Sequence, residues 1–250
     1  LSLQKAEIKG KEDIKAKADS RAAAENPAPH YMGAVVLEEQ KRKTLLGIQA
    51  VHIIDGQQRL TTLQFVLAAL KLAAKKRSED AIERVLDTCL RNHNTGIMAD
   101  KKHEPYKLRP TFRDQAMYMK VMDCATPDAI RGAFPDHFTR NDTIRQMGVE
   151  HPTAIAGVMY FTDRIEEWMG SPGAVDQTLR LSGLAEAVLT DLAFIAINLE
   201  GFDDAQMIFE TMNGRGARLH ATDLIKNFIF MRADRNSEDS RELYDTLRAR

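Results

Sequence analysis

The sequence predicts an α+β fold, with a small sheet-and-helix head followed by a predominantly α-helical body. Two short stretches rich in β-branched and apolar residues, 31–37 and 50–55, lie close together near the start. At residue 60 the apolar spacing changes to a helical one: Leu60, Leu63, Leu67 and Leu70, with Val66 and Ala74 alongside, recur three and four residues apart. Most of the remaining chain keeps that helical spacing, punctuated by Gly96, Pro105, Pro127, Pro135 and Pro172.

Taken in order, residues 1 to about 29 interleave Lys5, Lys9, Lys11, Lys15 and Lys17 with Glu7, Glu12 and Asp13, and close on Asn26, Pro27, Ala28 and Pro29. This reads as an exposed helix and a linker, its lysines forming a solvated face. Two strands come next, joined by a polar loop around Lys41–Lys43. The helix after them should lay its leucine stripe on the sheet. Further helices are expected near 79–92, 111–124, 152–169 and 174–190, a strand at 192–199, and helices at about 203–212, 221–233 and 237–249. The expected units are 1–78 for the head and 79–250 for the body, with no internal repeat.

The run VHIIDGQQRLTTL, residues 51–63, is the richest in chemistry. A strand that stops at Asp-Gly and turns at once into a helix presents that helix's unpartnered first-turn amides, at the positive end of its dipole, to an anion. Gly56 lets the backbone turn and approach a ligand closely. Arg59 offers a planar fork suited to two phosphate oxygens, and Gln57 and Gln58 each bring an amide donor and an acceptor. Asp55 adds a carboxylate able to hold a metal ion or orient water. Taken alone, Asp-Gly at a bend is ordinary turn chemistry; two glutamines and an arginine directly behind it make an anion site the stronger reading.

This run resembles the DGQQR box of the GmrSD-type family, the N-terminal domain of modification-dependent restriction proteins. Upstream, HYMGAVVL (30–37) resembles the family's aromatic-x-Gly-x-hydrophobic strand. Downstream, residues 205–227 resemble a second signature, a helix ending in F-E-x-x-N-x-x-G followed by L-x-x-x-D-L-x-K-N. Residues 106–114 resemble the intervening segment more weakly. The family's opening strand, with a Q-R-x-Y-x-W-like motif, is not found before residue 30, and the chain opens on Leu1, so a fragment is expected.

The resemblance implies a ParB/sulfiredoxin-like head and a nucleoside triphosphatase of a type IV-like restriction and anti-phage defence protein. On that reading Asp55, Gln57, Gln58 and Arg59 carry catalysis, Asp55 also holds a divalent cation such as Mg2+, and Gly56, Thr61 and Thr62 contact the nucleotide. Asn213, Arg215, Gly216, Asp223 and Lys226 join as candidates from the second signature. Their structural alternatives stay open: Gly216 as a C-terminal cap, Thr222 or Asp223 as an N-cap, and Met207, Ile208, Phe209 and Met212 as a packed helix face. The implied partners are a nucleotide, modified DNA and an HNH-type nuclease domain or subunit outside these residues, with self-association left open. Two rivals remain: a ParB-like nucleotide-gated DNA-binding switch, for which Gly56–Arg59 also fits a G-x-x-R motif, and a helical interaction scaffold.

Composition narrows the classes. With 44% hydrophobic and 28% charged residues over 250 positions, there is enough apolar material for one sizeable core or two small ones. A formal net charge of -1 argues against a surface that coats nucleic acid uniformly. Cys89 and Cys124 lie far apart in helical patterns, and the seven histidines lack metal-ligand spacing, so neither a disulfide framework nor catalytic zinc is expected. Asn92, His93 and Asn94 read as a helix-end polar cluster, and His52 as a strand-face residue. No P-loop motif occurs. No stretch approaches the ~18 apolar residues of a membrane span, and no secretory leader opens the chain, so a cytoplasmic location is expected.

Overall fold

The computed structural model describes residues 29–40, 47–110, 112–145, 153–170 and 176–199. Within them the α+β expectation holds: three strands form one small sheet, and six α-helices carry most of the mass. The strands are β1 (His30–Glu39), β2 (Val51–Asp55) and β3 (Leu192–Leu199). Strand β1 is central, antiparallel to β2 through pairs from Val36 with Asp55 to Glu39 with Val51. It runs parallel to β3, from His30 beside Leu192 to Glu38 beside Leu199. The third strand of the head thus comes from far beyond residue 79, since a parallel neighbour needs a long crossover, here filled by all six helices.

Helices α1 (Gln57–Lys76), α2 (Asp80–Leu90), α3 (Phe112–Asp123), α5 (Thr153–Met169) and α6 (Gln177–Thr190) fall within a few residues of the predicted bounds. The short α4 (Pro127–Ala133) is not among the expected helices, because Pro127 reads as a break. Its signal is nevertheless present in the sequence: Pro127 takes the first helical position, where its missing N–H costs nothing, and the Thr126 hydroxyl accepts a 3.0 Å hydrogen bond from the Ala129 amide.

One expectation is corrected. The apolar stripe of α1 does not lie on the sheet; α1 packs between α2 and α5, within one helical core. Leu67, Ala68, Ala69, Leu70, Leu72, Ala73 and Ala74 are all buried, so its C-terminal half is covered on more than one side. The alanines let neighbouring helices approach closely, which suits a central helix better than one lying on a sheet. Phe65, Leu86, Tyr118, Ile130, Ile155, Met169 and Leu181 belong to the same core.

Polar links hold the helices in register. At the end of α1, Arg77 donates to both Glu166 carboxylate oxygens of α5, at 2.7 and 3.1 Å, and to the Ala73 carbonyl at 3.1 Å. Lys76 adds a 2.8 Å bond to Glu166. Lys71 pairs with Asp87 and Lys75 with Glu83, tying α1 to α2. Arg91, Tyr106 and Asp123 form a further cluster, with the Tyr106 hydroxyl donating to Asp123 at 2.7 Å and the Arg91 guanidinium 4.8 Å from the Tyr106 ring centroid. Asn92 and His93 bond the Glu104 carbonyl and Asp87, the polar helix end that the sequence suggests. Cys89 and Cys124 are free thiols. No helix among the described residues is long and apolar enough to cross a membrane.

Burial opposes ionisation of Glu166, but the hydrogen bonds and charges of Arg77 and Lys76 outweigh it and hold its carboxyl below the usual glutamate range. A depressed folded-state value means that this contribution to stability is present above the unfolded-state value and is lost as pH falls through the folded one. Glu166→Gln is expected to destabilise the protein by about 1–3 kcal/mol near neutral pH, and to flatten the acid limb of a stability–pH curve measured by urea unfolding. An unchanged acid limb would show that the pair contributes nothing.

Candidate functional site

The turn between β2 and α1 is shaped by Gly56. Its φ is 95°, in the left-handed region, and a Cβ there would lie 2.6 Å from Val35 Cγ1 on β1. A glycine therefore lets the strand end at Asp55 and the helix begin at Gln57 while the turn is pressed against the central strand. The helical ladder starts with the Leu60 amide donating to the Gly56 carbonyl at 3.1 Å. No side chain caps the helix and its first turn contains no acidic residue, so the amides of Gln57, Gln58 and Arg59 stand at the positive end of a 20-residue helix.

The predicted residues of this turn gather within one helical turn. Arg59 reaches back to Asp55, its Nη2 2.9 Å from Oδ2, and its Nη1 makes a longer 3.5 Å contact with the Met32 carbonyl of β1. Both side chains are partly open to solvent, with 27% of Asp55 and 34% of Arg59 exposed. The two glutamines differ. Gln57 folds back, its Nε2 donating to the Ile53 carbonyl of β2 at 2.8 Å. Gln58 is exposed and has no hydrogen-bond partner among the described residues. Thr61 and Thr62 sit on the next turn, one half-buried and one exposed, outside the first-turn amides. His52, on β2, lies 4.0 Å from Glu38 and bonds Gln40, a strand-face role.

The arrangement offers an anion three kinds of donor: uncapped amides, the guanidinium of Arg59 and the amide group of Gln58. It also places a carboxylate beside them. A bare polyphosphate would meet the negative Asp55, whereas one that carries a divalent cation would bring a partner for that carboxylate. No cluster of three or more His, Cys, Asp or Glu suited to a metal ion occurs among the described residues. Among the described residues Asp55 could serve Mg2+ only as one ligand beside phosphate oxygens and retained waters. Asn213, Arg215, Gly216, Asp223 and Lys226 lie outside the described residues. Sequence reasoning misses the Met32 carbonyl, because a strand backbone brought to the site by sheet pairing leaves no mark in the residue pattern.

Because Gly56 combines a left-handed backbone with a contact closed to any Cβ, Gly56→Ala is expected to lower stability by about 1–3 kcal/mol. Urea unfolding checks this; coincident midpoints would mean that the turn relaxes at no cost.

The sequence profile described as "GmrSD restriction endonuclease, N-terminal domain" matches residues 11–230. No curated protein and no solved structure matches the chain.

Proposed function

The chain belongs to the family of GmrSD restriction endonuclease N-terminal domains, and from that premise we propose that its Asp55–Arg59 turn binds and hydrolyses a nucleoside triphosphate with a divalent cation. The observation that carries this reading is the meeting of an uncapped helix N-terminus, a guanidinium and a carboxylate in one turn. Each of these groups is ordinary alone; together they match the demands of phosphoryl transfer, which are positioning and charge stabilisation.

The amides after Gly56 and the Arg59 fork hold phosphate oxygens. Among the described residues Gln58 is the glutamine without a hydrogen-bond partner, so it orients the attacking water, while Gln57 braces the turn through Ile53. Asp55 holds the cation that accompanies the phosphates, and that cation supplies charge neutralisation on them. Thr61 and Thr62 lie one turn further along and reach the outer parts of the ligand. In the complete restriction protein this turnover would be coupled to recognition of modified DNA and to an HNH-type nuclease domain or subunit, in the cytoplasm, where nucleotide and phage DNA meet. The residues of the second signature, Arg215 above all, are proposed to close over the same nucleotide.

A second reading has its own support. Arg59 is already engaged by Asp55 at 2.9 Å, so a phosphate must replace or share that partner, and such an exchange suits a nucleotide-gated switch of the ParB type. Binding without turnover would select the switch. Absence of binding by any of the four common triphosphates with Mg2+ would leave only an interaction scaffold.

Two variants test the residue roles. Arg59→Ala should weaken triphosphate binding by about 1.5–3 kcal/mol, roughly ten- to a hundredfold, for loss of a charged hydrogen-bond donor; unchanged affinity in a folded variant removes Arg59 from the site. Asp55→Asn should depress turnover far more than binding, because its contribution is realised mainly in the transition state. Equal turnover at saturating nucleotide and Mg2+ would assign Asp55 to the turn alone.

A further inference from the structure

A second glycine faces the site from the neighbouring strand. Gly33 lies inside β1 with φ of 98°, where β1 slips its register against β3 between Tyr31 and Ala34. Glycine inside a strand weakens it, so its presence calls for a local reason. The reason is spatial: a Cβ at residue 33 would lie 2.4 Å from Arg59 Nη1 and 3.6 Å from Arg59 Cζ. The guanidinium therefore occupies the volume that any other residue would fill with its side chain. On its other sides the same guanidinium meets the Met32 carbonyl and the Asp55 carboxylate.

We propose that Gly33 is a positioning residue for Arg59: the notch it leaves in β1 holds the guanidinium over the start of α1, and so sets the affinity of the turn for phosphate. This rests on the anion-binding reading of the DGQQR turn. Two effects of filling the notch are separable. The left-handed backbone penalises any L-residue there whatever Arg59 does. The collision, in contrast, involves the far end of a long flexible side chain, which can swing away, giving up Asp55 and the phosphate position while leaving the fold in place. A purely structural glycine would produce the first effect only.

The test is a double-mutant cycle with Gly33→Ala and Arg59→Ala in the 250-residue chain, using inorganic triphosphate with Mg2+ as the probe and ligand-free urea unfolding as a second readout. Gly33→Ala should lower triphosphate affinity roughly tenfold or more, matching Arg59→Ala, and the double variant should bind no more weakly than Arg59→Ala alone. Without ligand, Gly33→Ala should cost less stability in the Arg59→Ala background than in the wild type, since neither a guanidinium in the way of the new Cβ nor its ion pair remains there. Wild-type affinity in Gly33→Ala, affinity losses that add, or equal stability costs in the two backgrounds would overturn the proposal. Should the wild type bind neither inorganic triphosphate nor any of the four nucleoside triphosphates, the nucleotide reading fails, and the unfolding cycle alone decides whether Gly33 positions Arg59. If Gly33→Ala does not fold, Gly33→Asn, which tolerates left-handed backbone better, fills the same notch and takes its place in the cycle.

Discussion

The burial of α1 between α2 and α5 is the constraint on which the rest of the structure depends. From Leu67 to Ala74 the helix is locked in the helical core, and its last turn is tied to α5 through Arg77, Lys76 and Glu166. A rigid helix held by its C-terminal half presents its N-terminus at a defined place. That place is the end of β2, where the Gly56 turn abuts Val35 of β1. The core supplies the rigidity and the sheet supplies the wall, so the uncapped first-turn amides are positioned by packing that lies far from them.

The two charges in the turn stabilise the fold little. A half-exposed pair such as Asp55 and Arg59 is worth about 0–1 kcal/mol, much less than the helical core beneath it. A contact of such small stability can exchange one partner for another at low cost. The Arg77–Glu166 pair has the opposite character. Its arginine is largely buried and held at two carboxylate oxygens as well as at a helix-end carbonyl, an arrangement that fixes two helices together.

The backbone of β1 has two duties that compete. As the central strand it pairs on both sides, yet it breaks register against β3 near Gly33 and against β2 between Val36 and Leu37. Both irregularities lie beside the turn, and between them Val35 and Val36 are buried consecutively, which a regular strand facing one core does not do. The strand gives up regular pairing where it accommodates Gly56 and Arg59.

Much of the fold is legible in the sequence because it is local. The helical periods of α1, α2, α3, α5 and α6, the β-branched run at 192–199 and the strand-turn-helix at Asp55–Arg59 are written in spacings of two to four residues. So is the helix start at Thr126 and Pro127, although its proline reads first as a break. The family assignment is legible too, since its DGQQR run stands intact. Tertiary structure alone decided the features that depend on distant partners. A leucine stripe states that α1 is buried on one side, but whether a sheet or two helices cover it depends on elements up to a hundred residues away. Likewise β3 announces itself as a strand without naming β1 as its parallel neighbour. Gln57 and Gln58 are identical in sequence chemistry, and among the described residues the proximity of the Ile53 carbonyl gives a hydrogen-bond partner to Gln57 and not to Gln58. The notch at Gly33 is the clearest case, for its meaning lies in a guanidinium 26 residues further along the chain, brought there by the folding of β2 and α1 against β1.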